Sequence, residues 1–291
     1  MYYVDLHVHS NASDGTLSPK QVVEAAAEAG LAAIALTDHD TTAGVAEAIL
    51  AAKDLPLELI PGTELSCVYR KTEIHILGLW IDWEDPVLTS SLNELRRTRS
   101  RRNDIMLERF QNAGFAITLE DLQGGSPDTV ITRAHFARVL TEKGYTKDRS
   151  TAFRKYLSEG CPFYVPKQEL SPEKAMELLC HAGAFPVLAH PMQYHMGYDQ
   201  VEELLLFLSS LGLRGLEVYH PSCNQYQSGK LLSMARRLGL LPTGGSDFHG
   251  SNKPDIRLGT GRGSLRIPLA LLEEIKASLL PRPVSPESSG K

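Results

Sequence analysis

Two periodicities alternate along the chain. Near its start, Val4, Leu6 and Val8 alternate with Asp5, His7 and His9. That two-residue period predicts a strand with one apolar face and with both imidazoles pointing together from the other. Ser13-Asp14-Gly15 then turns the chain and brings in a carboxylate. Ser18 and Pro19 read as an N-cap and a first helical residue, QVVEAAAEAG as an alanine-rich helix, and Gly30 as its stop. AAIALTDHD is a nearly continuous apolar run of strand length, the pattern of a strand buried on both faces. A helix from about Thr42 to Lys53 precedes LELIPGTELS, with Glu64 just past its apolar part. EIHILGLWI is a further strand, paired with that region, and it sets His75 among apolar neighbours.

The alternation stops at about Pro86. From there to Pro166 the pattern is mainly helical, with a glycine link at Gly124-Gly125. It then resumes: Ser171-Pro172 opens a capped helix, FPVLAHP is a strand ending in His190, a leucine-rich helix leads to LRGLEVYHP, and one more helix precedes LLPTGGSDFHG. Polar residues recurring at strand ends are the sign of a parallel α/β barrel or an open doubly wound sheet, where active sites form at the strands' carboxyl ends. The expected organisation is a discontinuous α/β domain from 1–85 and 167–280, a helical insertion or cap over its mouth at 86–166, and a disordered tail at 281–291, where Pro, Ser and Gly replace apolar residues.

Composition sets limits. The 291 residues can bury a large core, and 42% hydrophobic with 22% charged residues is ordinary for a globular chain. A formal net charge of −5 leaves no global basic field, so an anionic substrate must be attracted locally, by metal ions and clustered arginines. Cys67, Cys161, Cys180 and Cys223 lie far apart without a CxxC pair, and read as reduced, mostly buried thiols of a cytosolic protein. The N-terminus runs directly into a strand and no apolar run reaches transmembrane length, so a cytoplasmic protein with no membrane contact and no protein partner is expected.

The strand-end residues carry the chemistry. His7, His9, Asp14, His39, Glu64, His75, His190, Asp247 and His249 are more ligands than one metal can hold. Nitrogen and oxygen donors without thiolate suit Mn, Fe or Zn, and the carboxylates tilt the choice toward Mn or Fe. Two ions about 3.5–4 Å apart need a bridging carboxylate, a spacing that lets a shared hydroxide attack phosphorus in line. Glu64, central in the series, is the candidate bridge.

His7-Val8-His9 with Ser13-Asp14-Gly15, Thr37-Asp38-His39-Asp40, Gly62-Thr63-Glu64, Ala189-His190-Pro191 and Gly245-Ser246-Asp247-Phe248-His249 form an ordered set spanning most of the chain. In that set the chain resembles the PHP (polymerase and histidinol phosphatase) family, in particular the branch containing the 3',5'-nucleoside bisphosphate phosphatases. The resemblance implies a distorted seven-stranded (β/α) TIM-like barrel with a site for two to three divalent ions, Mn first and Fe or Zn as alternatives. His7, His9, Glu64 and Asp247 would hold one ion, Glu64, His75 and His190 a second, and Asp14, His39 and His249 a third. Histidinol phosphatases of the family tend to have histidine where this chain has Asp14, a departure that weakens histidinol phosphate as the substrate.

The insertion adds anion-binding candidates. Through LNELRRTRSRRNDIMLERF and the turn before it, Leu88, Leu92, Leu95, Met106 and Phe110 make one apolar stripe, and Arg99 and Arg102 continue it. Inward arginines are costly unless an anion meets them, whereas Arg96, Arg97 and Arg101 read as a solvated face. Thr132 reads as an N-cap that leaves helix-start N–H groups beside Arg133, Ala134 and His135. The substrate-binding set is therefore Asp40, Arg99, Arg102, Asn103, Arg133, Ala134 and His135, with Asp40 aimed at a substrate hydroxyl. Among the remaining histidines, His220 is the first choice to line the mouth.

The function expected is a metal-dependent phosphomonoesterase that removes the 3'-phosphate from a nucleotide such as pAp, giving AMP and phosphate. Asp247 and Glu64 are its catalytic residues, and Asp247 takes up a proton. The metals grip the phosphate being cut, which leaves Arg99 and Arg102 for a second, unreacting phosphate. One rival is a 5'-to-3' exonuclease on short oligonucleotide ends. An amidohydrolase also begins with HxH, but commonly bridges its metals with a modified lysine. A catalytically inactive PHP module would usually have lost ligands.

Overall fold

The computed structural model describes residues 2–125, 131–166 and 170–279. In chain order come β1 (Tyr3–Val8), α1 (Pro19–Glu28), β2 (Ala33–Leu36), α2 (Val45–Ala52), β3 (Glu58–Tyr69) and β4 (Thr72–Leu79). The helices α3 (Pro86–Asn112), α4 (Leu119–Gln123), α5 (Arg133–Glu142) and α6 (Arg149–Ala152) follow, and a π-helical turn at Phe153–Leu157 ends that run. Then come α7 (Pro172–His181), β5 (Phe185–Leu188), α8 (Tyr198–Ser210), β6 (Gly215–Tyr219), α9 (Gln225–Arg237), β7 (Leu241–Gly244), β8 (Ile267–Pro268) and α10 (Leu269–Leu279).

The sheet order is β7-β6-β5-β4-β3-β2-β1-β8. Its two ends nearly meet, because Asp247 N–H donates to His7 O at 2.9 Å and His9 N–H donates to Phe248 O at 3.0 Å. The wall is thus the expected seven-stranded α/β barrel, and the two-residue β8 is one strand more, added antiparallel to β1. Asp5 secures this closure. Its fully buried carboxylate accepts from Ser246 N–H at 2.7 Å and Gly259 N–H at 2.8 Å.

Two local expectations are corrected. Strict alternation would put Val4, Leu6 and Val8 on one face of β1, with Asp5 beside His7 and His9. Instead Val4 and Leu6 pack with Leu77 and Val187, Val8 packs with Val22 and Ile34, and Asp5 faces the 246–259 segment. The register against β2 shifts between Asp5 and Val8, and such a bulge re-aims the side chains that follow it. Of the four free cysteines, Cys67 alone is buried; Cys180 ends on the exposed side of α7.

The caps follow the sequence closely. Ser18 and Gln21 form a reciprocal capping box, and Ser171 caps α7. α2 starts at Val45, three residues after the expected Thr42. α3 joins two apolar regions: Leu88 and Leu92 pack into the barrel-side cluster with Met176 and Leu178, while Met106 and Phe110 join Phe136, Leu140 and Leu157. Arg99, Arg102 and Asn103 are buried between these anchors. The tail expected at 281–291 lies outside the described residues, as does residue 167, the expected start of the second barrel segment. Among the described residues no helix is long and apolar enough to cross a membrane.

Closure also explains one glycine. A Cβ on Gly245 would fall 2.1 Å from His7 Cβ and 2.6 Å from His7 N, and the β1 backbone cannot yield. Gly245→Ala should therefore cost roughly 1–3 kcal/mol or more of stability, as overpacking does. A urea midpoint equal to that of the unsubstituted protein would show that β1 and the 245 segment do not touch.

Candidate active site

The barrel mouth gathers the strand-end residues through a change of strand direction. β3 pairs parallel with β2 through Pro61, then antiparallel with β4 from Gly62 to Tyr69. Glu64 therefore sits inside a twelve-residue strand and not past its end. Because β4 runs the other way, His75 lies near its start yet reaches the same mouth as His190, which follows β5. Tyr194 ties the two histidine segments together, accepting from His75 N–H at 3.0 Å and donating to Ala189 O at 2.6 Å.

Glu64 is the hub. Its Oε2 is 3.3 Å from His7 Nε2, 3.3 Å from His9 Nε2 and 3.0 Å from His39 Nδ1. Its Oε1 is 2.9 Å from His75 Nδ1 and 3.0 Å from His190 Nε2. Asp247 Oδ1 lies 3.4 Å from His9 Nε2 and 3.7 Å from His7 Nε2. Asp14 Oδ1 lies 3.1 Å from His249 Nε2 and 3.8 Å from His39 Nε2. All nine expected ligand side chains thus converge, in overlapping groups whose ligand atoms lie within 4.8 Å of one another.

The donor set fits cations. Among the described residues, His7 Nε2, both ring nitrogens of His9, Asp14 Oδ1, His39 Nδ1, Glu64 Oε2 and His190 Nδ1 are buried without a hydrogen-bond partner. Buried polar atoms are ordinarily satisfied, so this concentration is what bound cations would relieve. Electrostatics agree. Burial pushes Glu64 up, yet His39, His75 and His7 outweigh it and hold the carboxyl well below its ordinary range. His75, though disfavoured as a cation by burial, is raised to about 9 by Glu64 and Glu73. Divalent cations would replace those imidazole protons.

Strain accompanies the convergence. Asp40, His190 and Asp247 adopt positive φ of 50°, 23° and 54°, a region that non-glycine residues rarely occupy. Their neighbours restrain them: Ser66 N–H donates to Asp40 Oδ1 at 2.9 Å, and His190 N–H donates to Glu217 Oε2 at 2.7 Å. Asp38, next to His39, accepts from Ser10 N–H at 2.8 Å and Ser13 Oγ at 2.6 Å, fixing the turn that carries Asp14.

Above the mouth lies a cleft of about 150 Å³, where Asp14, His39 and His75 face Arg99, Arg102, Arg133 and Ala134. Burial, and then the neighbouring Arg102 and Arg133, press the Arg99 guanidinium down to about 9. Three expected substrate contacts do not line this cleft. Asp40 sits behind it, ion-paired with Arg99 and bonded to Ser66. Asn103 Oδ1 accepts from Arg102 Nη2 at 2.7 Å, and its amide donates to Ile131 O at 2.8 Å. His135 Nδ1 accepts from Thr132 N–H at 3.0 Å in a capping box, and His135 lines a separate cavity of about 430 Å³ with Arg138 and Arg149. Burial lowers His135 to about 4, leaving it neutral for that capping role.

Other residues of the site were not visible as such in the sequence. Glu217, fully buried on β6, accepts from His7 Nδ1 at 3.0 Å as well as from His190 N–H. This fixes the His7 tautomer so that Nε2 faces the cluster. The lone carboxylate inside the apolar LEVYH strand was the available signal. Asp247 Oδ2 meets Lys253 Nζ at 2.5 Å and His220 Nε2 at 3.4 Å, which places the predicted mouth histidine against a candidate ligand. Nothing in the pattern around Lys253 pointed there.

Known proteins resemble the chain along most of its length. The family model described as PHP domain matches residues 5–212. The chain is 39% identical over 250 residues to the 3',5'-nucleoside bisphosphate phosphatase of Chromobacterium violaceum, covering 86% of this chain and 88% of that protein. It is 36% identical over 247 residues to the 5'-3' exoribonuclease Rnm of Escherichia coli, covering 84% of each. A solved structure of an amidohydrolase from Chromobacterium violaceum, with bound sulfate and no metal, aligns with a TM-score of 0.83 at 36% identity, over 94% of this chain and 96% of that one.

Cations that bind the folded cluster and not the unfolded chain must stabilise the fold. Mn²⁺ at a hundred times its dissociation constant should add about 2.7 kcal/mol to chelator-stripped protein, read as a rise in melting temperature. A melting curve indifferent to Mn²⁺, Fe²⁺ and Zn²⁺ would mean that the cluster is not a metal site.

Proposed function

The chain belongs to the PHP domain family and is a metal-dependent phosphatase, and on that premise we propose that it removes the 3'-phosphate from nucleoside 3',5'-bisphosphates such as pAp, giving AMP and phosphate. The nine converging side chains His7, His9, Asp14, His39, Glu64, His75, His190, Asp247 and His249 would hold two to three divalent ions, Mn first among them, and Glu64 would be the shared carboxylate. Ions bound there supply Lewis acidity to the phosphoryl oxygens and acidify an attacking water. Residues 86–166 act as a cap inserted into the barrel domain, and bring the arginines over the mouth.

The observation that carries the substrate assignment is Arg102. It is buried in the cleft, and among the described residues its guanidinium is met by the neutral Asn103 Oδ1. Arg99 already has Asp40, and Arg133 already has Glu73. Arg102 is therefore the cation that gains most from a second, unreacting phosphate. Asp40 holds Arg99 beside it, while the helix start at Thr132 presents Arg133 and Ala134 to the same space. Asp247 Oδ1 faces His7 and His9, where it takes up the proton of the attacking water, and His220 and Lys253 hold its other oxygen.

A 5'-to-3' exonuclease on short 5'-phosphorylated oligonucleotides is the second reading, favoured by the likeness to the exoribonuclease of Escherichia coli. Phosphate release from pAp, AMP and histidinol phosphate, measured beside mononucleotide release from a short 5'-phosphorylated RNA, decides between them. The bisphosphate should turn over fastest. If the RNA is shortened while pAp stays intact, the exonuclease reading replaces the first.

Arg102→Ala should lower kcat/KM for pAp about ten- to a hundredfold, the worth of a charge-assisted contact of roughly 1.5–3 kcal/mol. Small aryl phosphates lack the second phosphate, so their hydrolysis should hardly change. Equal losses on both substrates would instead make Arg102 a support of the fold or of the metal site.

A further inference from the structure

Glu73 stands where cap and barrel meet. It precedes His75 by two residues on β4, so both side chains leave the same face of the strand at the cleft mouth. Its Oε1 lies 3.5 Å from His75 Nε2, and its Oε2 accepts from Arg133 Nη2 at 3.2 Å. His75 turns Nδ1 to Glu64 at 2.9 Å; with a cation bound at Nδ1, Nε2 would be the ring nitrogen that carries a proton toward Glu73. On the cap side Arg133 is the first residue of α5, and its guanidinium also lies over the Tyr164 ring, 5.8 Å from the centroid. One carboxylate thus touches both a cation of the cleft and a side chain of the metal cluster.

We infer that Glu73 is a positioning residue that couples phosphate binding at Arg133 to cation binding at His75. The inference rests on the reading of Arg133 as a phosphate contact and of His75 as a metal ligand. A phosphate arriving at Arg133 competes with Glu73 for the guanidinium. The carboxylate charge released from that pair then acts on His75 Nε2–H, fixes the ring and raises the basicity of Nδ1. Reciprocity requires that a cation at His75 strengthen phosphate binding by the same factor. Glu73 also sets the polarity of the cleft, since it is the acidic group on the β4 side facing the arginines.

The test uses the full chain, stripped with a chelator and titrated with Mn²⁺ against a fluorescent competitor, with and without AMP as the phosphate probe. In the unsubstituted protein AMP should tighten one ion. Glu73→Gln should weaken that ion about ten- to a hundredfold, leave the others unchanged and abolish its response to AMP, while excess Mn²⁺ restores kcat. Arg133→Gln should weaken AMP and, by freeing Glu73 from the guanidinium, tighten the same ion in the absence of AMP. Glu73→Asp, which keeps the charge on a shorter arm, should fall between, and keeps the test open if the glutamine variant misfolds. If Arg133→Gln weakens AMP but both Glu73 variants bind every ion like the unsubstituted protein, the inference is overturned and the phosphate reading survives. If Arg133→Gln leaves AMP binding intact, the phosphate reading fails and the coupling falls with it.

Discussion

Burying Glu64 is the constraint around which the rest is arranged. A carboxylate fully removed from water is costly unless positive charge and hydrogen bonds meet it. Here five imidazoles do so, drawn from β1 and the residue after it, the segment after β2, β4 and the segment after β5. The main chain fixes the same point: Glu64 N–H donates to Asp38 O at 3.1 Å, and Asp40 N–H donates to Glu64 O at 2.9 Å. Glu64 lies three residues past the end of the parallel β2–β3 pairing, inside the antiparallel β3–β4 ladder. The backbone that changes pairing partner and the side chain that gathers the histidines are parts of one solution.

Much of this was legible in the chain because barrels put their chemistry at strand ends, where an apolar run breaks into His, Asp or Glu. His39, His190, Asp247 and His249 all follow that rule. The bulge in β1 was not legible. A period of two assumes an unbroken ladder, so Asp5 was grouped with His7 although it faces the closing segment instead. Strand direction was equally hidden, because an apolar run with one histidine reads the same whether β4 runs with its neighbours or against them. Glu217 was passed over for a related reason: one charge in a short apolar strand resembles an outward-facing residue until the opposite wall of the barrel is known.

The inward arginines were legible because they interrupt a stripe. Leu88, Leu92, Met106 and Phe110 fix the buried face of α3, and Arg99 and Arg102 fall on it at helical spacing. Spacing alone did not reveal that Arg99 meets Asp40 from the barrel while Arg102 meets Asn103 from its own helix. That difference, set by contacts between distant segments, separates two arginines that look equivalent in the sequence.

Closure by residues 245–248 has a consequence for biosynthesis. The hydrogen bonds that complete the β1 edge come from Asp247 and Phe248, and the carboxylate of Asp5 waits for Ser246 and Gly259. During translation β1 must therefore stand with an open edge until more than two hundred further residues have been made. At roughly 5–20 residues per second the wait is on the order of tens of seconds. Unpaired strand edges invite association with other chains in that interval. The polar His7 and His9 make this edge a poorer template for such pairing than an all-apolar strand would be. The imidazoles that gather around Glu64 thus have a second use on the nascent chain.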